Sequence, residues 1–278
     1  MRSKKLASQI LIDILILVVV IVIFIVPFIF IFLTASKTRQ EASLLQFKWP
    51  VDFKLFENIR EVILYQDKKM LLALFNSTVL TVGTVTLSVV FASMVAYVMQ
   101  RRKDRVASTL SSVMFAGLVI PPAVVPTIFL MQFLGIYKTI FGLILVEVAF
   151  GVPFAILILR AFMASIPVEI DEAAIVDGAS PLQVFFTIIF PLLRPAIVTI
   201  IVTSAVTVYN DFVSPLYFLP GAKNVTVQLT LYNFISQFNT QWNLLFADVL
   251  VITIPPLIMF LFFQRQIVAG MTSGSVKG

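Results

Sequence analysis

The chain has 278 residues, 60% of them hydrophobic and only 12% charged, with a net charge of +6 and a mean hydropathy of +1.04, which excludes an ordinary water-soluble globular domain. It has neither Cys nor His, which excludes disulfides, thiolate nucleophiles, a Ser-His-Asp triad and nearly every zinc or haem site. Its basic residues are dispersed rather than gathered on one polar face, so they read as flanks of membrane spans and not as a nucleic-acid surface.

Uncharged runs occur at Ile14–Ser36, Met70–Gln100 and Val106–Tyr137. Each exceeds the roughly 20 residues that a helix needs to cross a hydrocarbon core of about 30 Å. The runs lack the period-2 alternation of barrel strands, and only helices or closed barrels satisfy their own backbone in lipid. The expected fold is all-α: a polytopic membrane protein with six transmembrane helices, forming one domain over residues 1–278. The spans fall at about 11–34, 71–99, 107–132, 140–162, 187–209 and 245–264.

The basic start, Met1–Lys5, precedes an apolar run longer than the roughly 7–15 residues of a signal-peptide core, so the run reads as a retained first span. The third span carries Pro121, Pro122 and Pro126, and the sixth carries Pro255 and Pro256. These read equally as packing kinks and as pore-lining breaks. Pro191 and Pro195 near the start of the fifth span predict a bent or shallow lower part.

With both termini inside, cytoplasmic segments hold Arg2, Lys4 and Lys5, then Arg101, Arg102, Lys103 and Arg105, then Arg160 and Arg194, and finally Arg265 and Lys277. The first external loop, about 35–70, departs from that rule. It has seven basic residues (Lys37, Arg39, Lys48, Lys54, Arg60, Lys68, Lys69) against five acids, and reads as carrying surface helices. The external loop at about 210–244 is polar and aromatic, fit either to dock something or to anchor at the interface.

Between the fourth and fifth spans lies a loop at about 165–186 with four acids: Glu169, Asp171, Glu172 and Asp177. Pro167 suits a helix start, the first three acids complement the positive end of the helix dipole, and Gly178 is a left-handed stop. Ser180, Pro181 and Gln183 then spell a new N-cap with a capping-box Gln. The pattern predicts a helix, a Gly turn and a second helix on the cytoplasmic face.

Glu172, Ala173, Ala174, Asp177, Gly178 and Ala179, followed by Phe186, Pro191 and Pro195, resemble the E-A-A…D-G-A…P…P loop of ABC-importer permeases. The segment Asn210–Leu216 and the tail from Gln264 through Gly270 to Gly278 resemble the carbohydrate-uptake branch, and nearly the full length resembles the maltose-permease G-type subunit. Tyr209 departs from that branch, which often has Trp there. The resemblance implies a type I ABC-importer permease fold whose loop is a coupling helix seated in a cleft of a cytoplasmic ATPase subunit. It implies as partners two ATPase subunits, a second, F-type permease, an extracytoplasmic solute-binding protein and a sugar, all at a bacterial cytoplasmic membrane. The chain has no G-x-x-x-x-G-K-[ST] phosphate loop, so ATP and Mg belong to the separate ATPase, and this subunit is non-catalytic with no cofactor of its own.

On that resemblance Glu172 would pair with a basic ATPase residue, Ala173 and Ala174 would permit close docking, Gly178 would supply the turn, and Glu169, Asp177 and Ala179 complete the coupling set. In the tail, Gly270, Gly274 and Lys277 would contact the ATPase dimer, and they fit an extended strand or a frayed end equally. Glu147 stands alone in the fourth span, where a charge usually faces a cavity or a partner. Tyr209, Asn210 and Asp211 at the outer end of the fifth span are pathway or substrate candidates, with a solvated helix end as the simpler reading of Asp211. Asp248 reads as interfacial. An oligosaccharide is the first expectation for the cargo, glycerol phosphate or another polyol the next. An ion-coupled transporter would need more intramembrane groups than Glu147 offers, and an intramembrane enzyme would need a His or paired acids.

Overall fold

The computed structural model describes residues 12–102, 104–221, 223–236 and 239–273, the side chains of 106 and 265–273 excepted. Every regular element among the described residues is helical. Among the described residues, four helices are long and apolar enough to cross a membrane, and up to six spans result if each of two bent pairs is one span.

The first helix, α1 (Ile12–Ala35), widens to π pitch over Ile21–Ile25, just before Pro27. Pro27 lacks the N–H that would bond the Ile23 carbonyl, which is a common cause of such a local widening. The short α2 (Arg39–Ser43) begins with a capping box between Thr38 and Glu41. Helix α3 (Leu55–Arg101) is broken at 65–68, where Gln66, Asp67 and Lys68 take positive φ, so residues 55–64 form a helix ahead of the second span.

The third span is not one rod. Helices α4 (Arg105–Val119) and α5 (Val124–Phe133) meet at 117° across Pro121 and Pro122. Two consecutive prolines remove adjacent donors and force the preceding residue out of the helical region, and Ile120 is extended with ψ 122. Helix α6 (Ile140–Met163) runs through Pro153. After the hairpin helix α7 (Glu169–Val176), helices α8 (Pro181–Leu192) and α9 (Arg194–Asn210) meet at 73° around Leu193, the bend that Pro191 and Pro195 predict. Helices α10 (Val213–Phe218) and α11 (Val227–Thr230) precede α12 (Trp242–Ser273), which stays continuous through Pro255 and Pro256.

The chain forms two compact units. One holds the residues up to Leu71 with Thr230–Ile254, and it is organised by buried polar contacts. Asn58 Nδ2 donates to the carbonyls of Ala35 (2.8 Å) and Lys37 (2.9 Å), and Asn243 Nδ2 donates to Asn58 Oδ1 at 3.0 Å. Asp248 is fully buried there and accepts from Thr230 Oγ1 at 3.0 and 3.1 Å, which corrects its reading as an interfacial residue. A carboxyl in an apolar unit needs such a partner more than a lipid boundary.

The other unit holds Leu72–Leu229 with the end of α12. Its main apolar cluster joins α3 (Ala92, Ala96, Met99), α6 (Ile156, Leu159, Met163), α8 (Val184, Phe185, Ile189) and α9 (Ile197, Ile200). A second cluster gathers Leu80, Met131, Leu143 and Phe218. Gly142 lies so close to the Ile136 carbonyl that an added Cβ would sit 2.2 Å from it, so only Gly fits at the start of α6.

Candidate coupling hairpin and intramembrane pocket

The hairpin forms as its residues dictate. Glu169, Asp171 and Glu172 occupy the first turn of α7, where unpaired N–H groups favour negative charge. The helix ends in a Schellman arrangement: the Gly178 N–H donates to Ile175 and the Ala179 N–H to Ala174, both at 3.0 Å. Gly178 has φ +88, which any residue with a Cβ adopts only at a cost. Ser180 opens α8, its N–H donating to Gln183 Oε1 at 2.8 Å.

Arg101, the last residue of α3, ties the hairpin down. Its Nε donates to Asp171 Oδ2 at 2.6 Å and its Nη1 to the Ile166 carbonyl at 3.2 Å. The Tyr97 side chain also reaches Asp171. Both charged groups are largely buried, so each depends on the other to offset its desolvation.

This clamp decides which side of α7 faces outward. Asp171 and Ala174 are three residues apart and both turn inward, Ala174 being 6% exposed within the main apolar cluster. Ala174 therefore packs into the core of this unit. Glu169, Glu172, Ala173, Asp177 and Gly178 are exposed, together with Ile175 and Val176, while Ala179 is half-buried. In the sequence Arg101 reads only as a topology marker, and nothing contiguous marks the exposed Ile175 and Val176; the i, i+3 spacing of Asp171 and Ala174 is the signal for the inward face.

A second candidate lies within the same unit. Glu147 on α6 is 8% exposed, and its Oε1 has no hydrogen-bond partner. It lines a cavity of about 240 Å³ with Thr84 and Ser88 from α3 and Thr203, Ser204 and Thr207 from α9, beside the rings of Phe150 and Phe154. The side chains of Asp211 and Ser214 lie beside the Glu147 carboxyl. Of the residues named at the end of α9, Asp211 therefore approaches Glu147, and it also accepts the Val213 N–H at 2.8 Å, capping α10. Asn210 is exposed, donating to the Val206 carbonyl at 2.9 Å and accepting from Gln228 at 3.3 Å. Tyr209 is buried with an unpartnered hydroxyl and does not line this cavity. An apolar-walled space ringed by hydroxyls and one carboxyl can hydrogen-bond a polar, uncharged ligand.

The tail candidates divide. Gly270 lies on the helical backbone of α12, which replaces the extended strand with a helix through Ser273, whereas Gly274 and Lys277 lie outside the described residues.

The fold and the sequence both have known counterparts. A chain of a bacterial ABC transporter involved in the import of the acidic polysaccharide alginate shares the fold with a TM-score of 0.79 at 22% identity, over 95% of this chain and 98% of that one. The melibiose/raffinose/stachyose import permease protein MelC of Bacillus subtilis is 30% identical over 89% of this chain and 90% of its own. The trehalose transport system permease protein SugB of Mycobacterium tuberculosis is 34% identical over 80% of this chain and 82% of its own. Residues 88–273, well over half of the sequence, match the model for the binding-protein-dependent transport system inner membrane component. The chain belongs to that family of membrane permeases.

Proposed function

We propose that this chain is the permease subunit of an ATP-driven carbohydrate importer, with an oligosaccharide as its cargo. Its hairpin couples closure of a separate ATPase dimer to alternating access of the membrane pathway. The observation that carries this reading is the anchored hairpin: Arg101 fixes α7 to the end of a span, while Glu169, Glu172, Ala173 and Asp177 remain exposed on its other side. A lever with a free face carrying acids and apolar side chains can transmit force only if something grips that face. Glu172 pairs with a basic group of the ATPase as a charge-assisted contact, and Asp177 and Gly178 shape the turn that enters the cleft.

Several similar permeases are named for sugars, among them melibiose, raffinose, stachyose and trehalose, which supports a saccharide cargo. The hydroxyl-lined cavity at Glu147 suits an uncharged saccharide better than glycerol phosphate, because its lining has no Lys or Arg to offset a buried dianion. A second permease, two ATPase subunits and a solute-binding protein complete the assembly in a bacterial cytoplasmic membrane, both termini of this chain facing the cytoplasm.

The test is transport by the complete complex in proteoliposomes. Glu172→Lys is expected to insert normally, to lose most saccharide uptake and to break the link between uptake and ATP hydrolysis. Normal uptake by a well-inserted Glu172→Lys complex would remove Glu172 from this role. Measuring uptake of raffinose, trehalose and glycerol 3-phosphate in parallel separates the cargo classes.

A further inference from the structure

The loop that follows α1 turns its polar atoms inward and its rings outward. The Lys54 N–H closes on the Ser36 carbonyl at 2.8 Å, so residues 36–54 form a closed surface loop at the end of the span. Lys37 Nζ is buried and donates to the Gln46 carbonyl at 2.6 Å, and the Val51 N–H donates to Glu41 Oε1 at 3.0 Å. These bonds hold Leu45 at φ +47, a left-handed conformation unfavourable for a residue with a Cβ. A loop built this firmly has a defined outer surface, and that surface is largely apolar: Trp49 is 71% exposed and Val51 94%, and Phe47, Phe53 and Phe56 are exposed too, with only Gln46, Lys48 and Asp52 polar among the exposed residues from 44 to 56.

The rings also fix the depth of the loop. Phe47 stacks on Phe30 with centroids 6.2 Å apart, and Phe53 lies 6.3 Å from Phe32. Phe30 precedes the last residue of α1 by five positions, about 7.5 Å along the helix axis at 1.5 Å per residue. Phe47 therefore folds back along the flank of a membrane-spanning helix. Through these contacts the apolar surface of the loop continues into the exposed flank of α1 at Phe28, Ile29 and Phe32. Exposed Lys48 adjoins Trp49, the pairing of aromatic and snorkelling cation found where protein meets headgroups.

We propose that residues 44–56 are a membrane-interface collar, seated in the phospholipid headgroup and acyl boundary on the face of the bilayer where α1 ends. Its occupant is lipid, because the exposed apolar surface is continuous with the exposed flank of the span. The collar holds the exit of α1 at a fixed height while other parts of the permease move.

The absence of Cys from this chain allows a direct test. A nitroxide is attached at Val51→Cys in the assembled importer, with cysteines of the other subunits replaced, in phosphatidylethanolamine and phosphatidylglycerol proteoliposomes. Its collision rates with dissolved oxygen, which concentrates in lipid, and with a water-soluble nickel chelate are compared. The collar predicts an oxygen rate severalfold above the nickel rate. A nickel rate equal to or above the oxygen rate would put Val51 in water and overturn the proposal. Suppression of both rates would show that a protein covers the site, and would overturn it equally. Phe56→Cys gives the same reading where the first variant fails to assemble.

Discussion

Two adjacent alanines show how much one residue's placement matters. Ala173 and Ala174 are chemically identical, yet the first is exposed and the second sits in the core, because the Arg101–Asp171 pair sets the rotation of α7. Arg101→Ala leaves the Asp171 carboxylate buried and unpaired, a change that typically costs about 3–5 kcal/mol. Amides of α7 are expected to exchange faster in that variant, and the Arg101→Ala/Asp171→Ala double variant to lose less than the two single losses combined. Additive losses would show that the two groups act independently. Gly178 tests the turn alone, since an added Cβ there meets no atom within 4 Å. The cost of Gly178→Val is therefore conformational, on the order of 1–3 kcal/mol for a β-branched residue at positive φ. Insertion should be unchanged, while ATP hydrolysis and uptake come apart; coupled transport at the natural stoichiometry would contradict the role given to the turn.

Local chemistry made some elements legible from sequence and left others hidden. The hairpin could be read because its signals are contiguous: acids in the first turn, Gly178 at the stop and the Ser180 and Gln183 cap lie within fifteen residues. The bend of the fifth span followed from Pro191 and Pro195. The 117° angle between α4 and α5 could not be read, because Pro121 and Pro122 permit both a kink and a sharp turn, and packing against other helices selects between them. The loop after α1 was equally obscure, since its order depends on contacts between residues far apart in the segment. One such contact gives a pH dependence. The Val51 N–H, followed by the Thr38 N–H and hydroxyl, holds the Glu41 carboxyl below its ordinary value of 4.5 against a smaller opposing effect of burial. A lowered folded-state value contributes stability above the ordinary value that is lost as pH falls through the lowered one. The loop is thus expected to keep its full protection against amide exchange above pH 4.5 and to loosen only below it, whereas Glu41→Gln should show no such acid transition.

Across the whole molecule, composition decided the class and the site required the fold. A mean hydropathy of +1.04 and runs longer than a bilayer is thick leave little besides a helical membrane protein. Glu147 stood out in the sequence as a lone intramembrane acid, but its surroundings come from α3, α9 and the start of α10, which no spacing along the chain could assemble. The central claim is that the exposed face of α7 is gripped by an ATPase, and the Cys-free chain permits one direct measurement. A single cysteine at Ala173, in the complete importer with other cysteines replaced, is treated with a short thiol-to-amine cross-linker. The account predicts a covalent adduct between this chain and the ATPase subunit that forms at Ala173→Cys and is absent when the cysteine is placed at Val51. Failure of Ala173→Cys to cross-link in an assembled, transport-competent complex, with its thiol reactive only to reagent supplied from outside the cell, would contradict it.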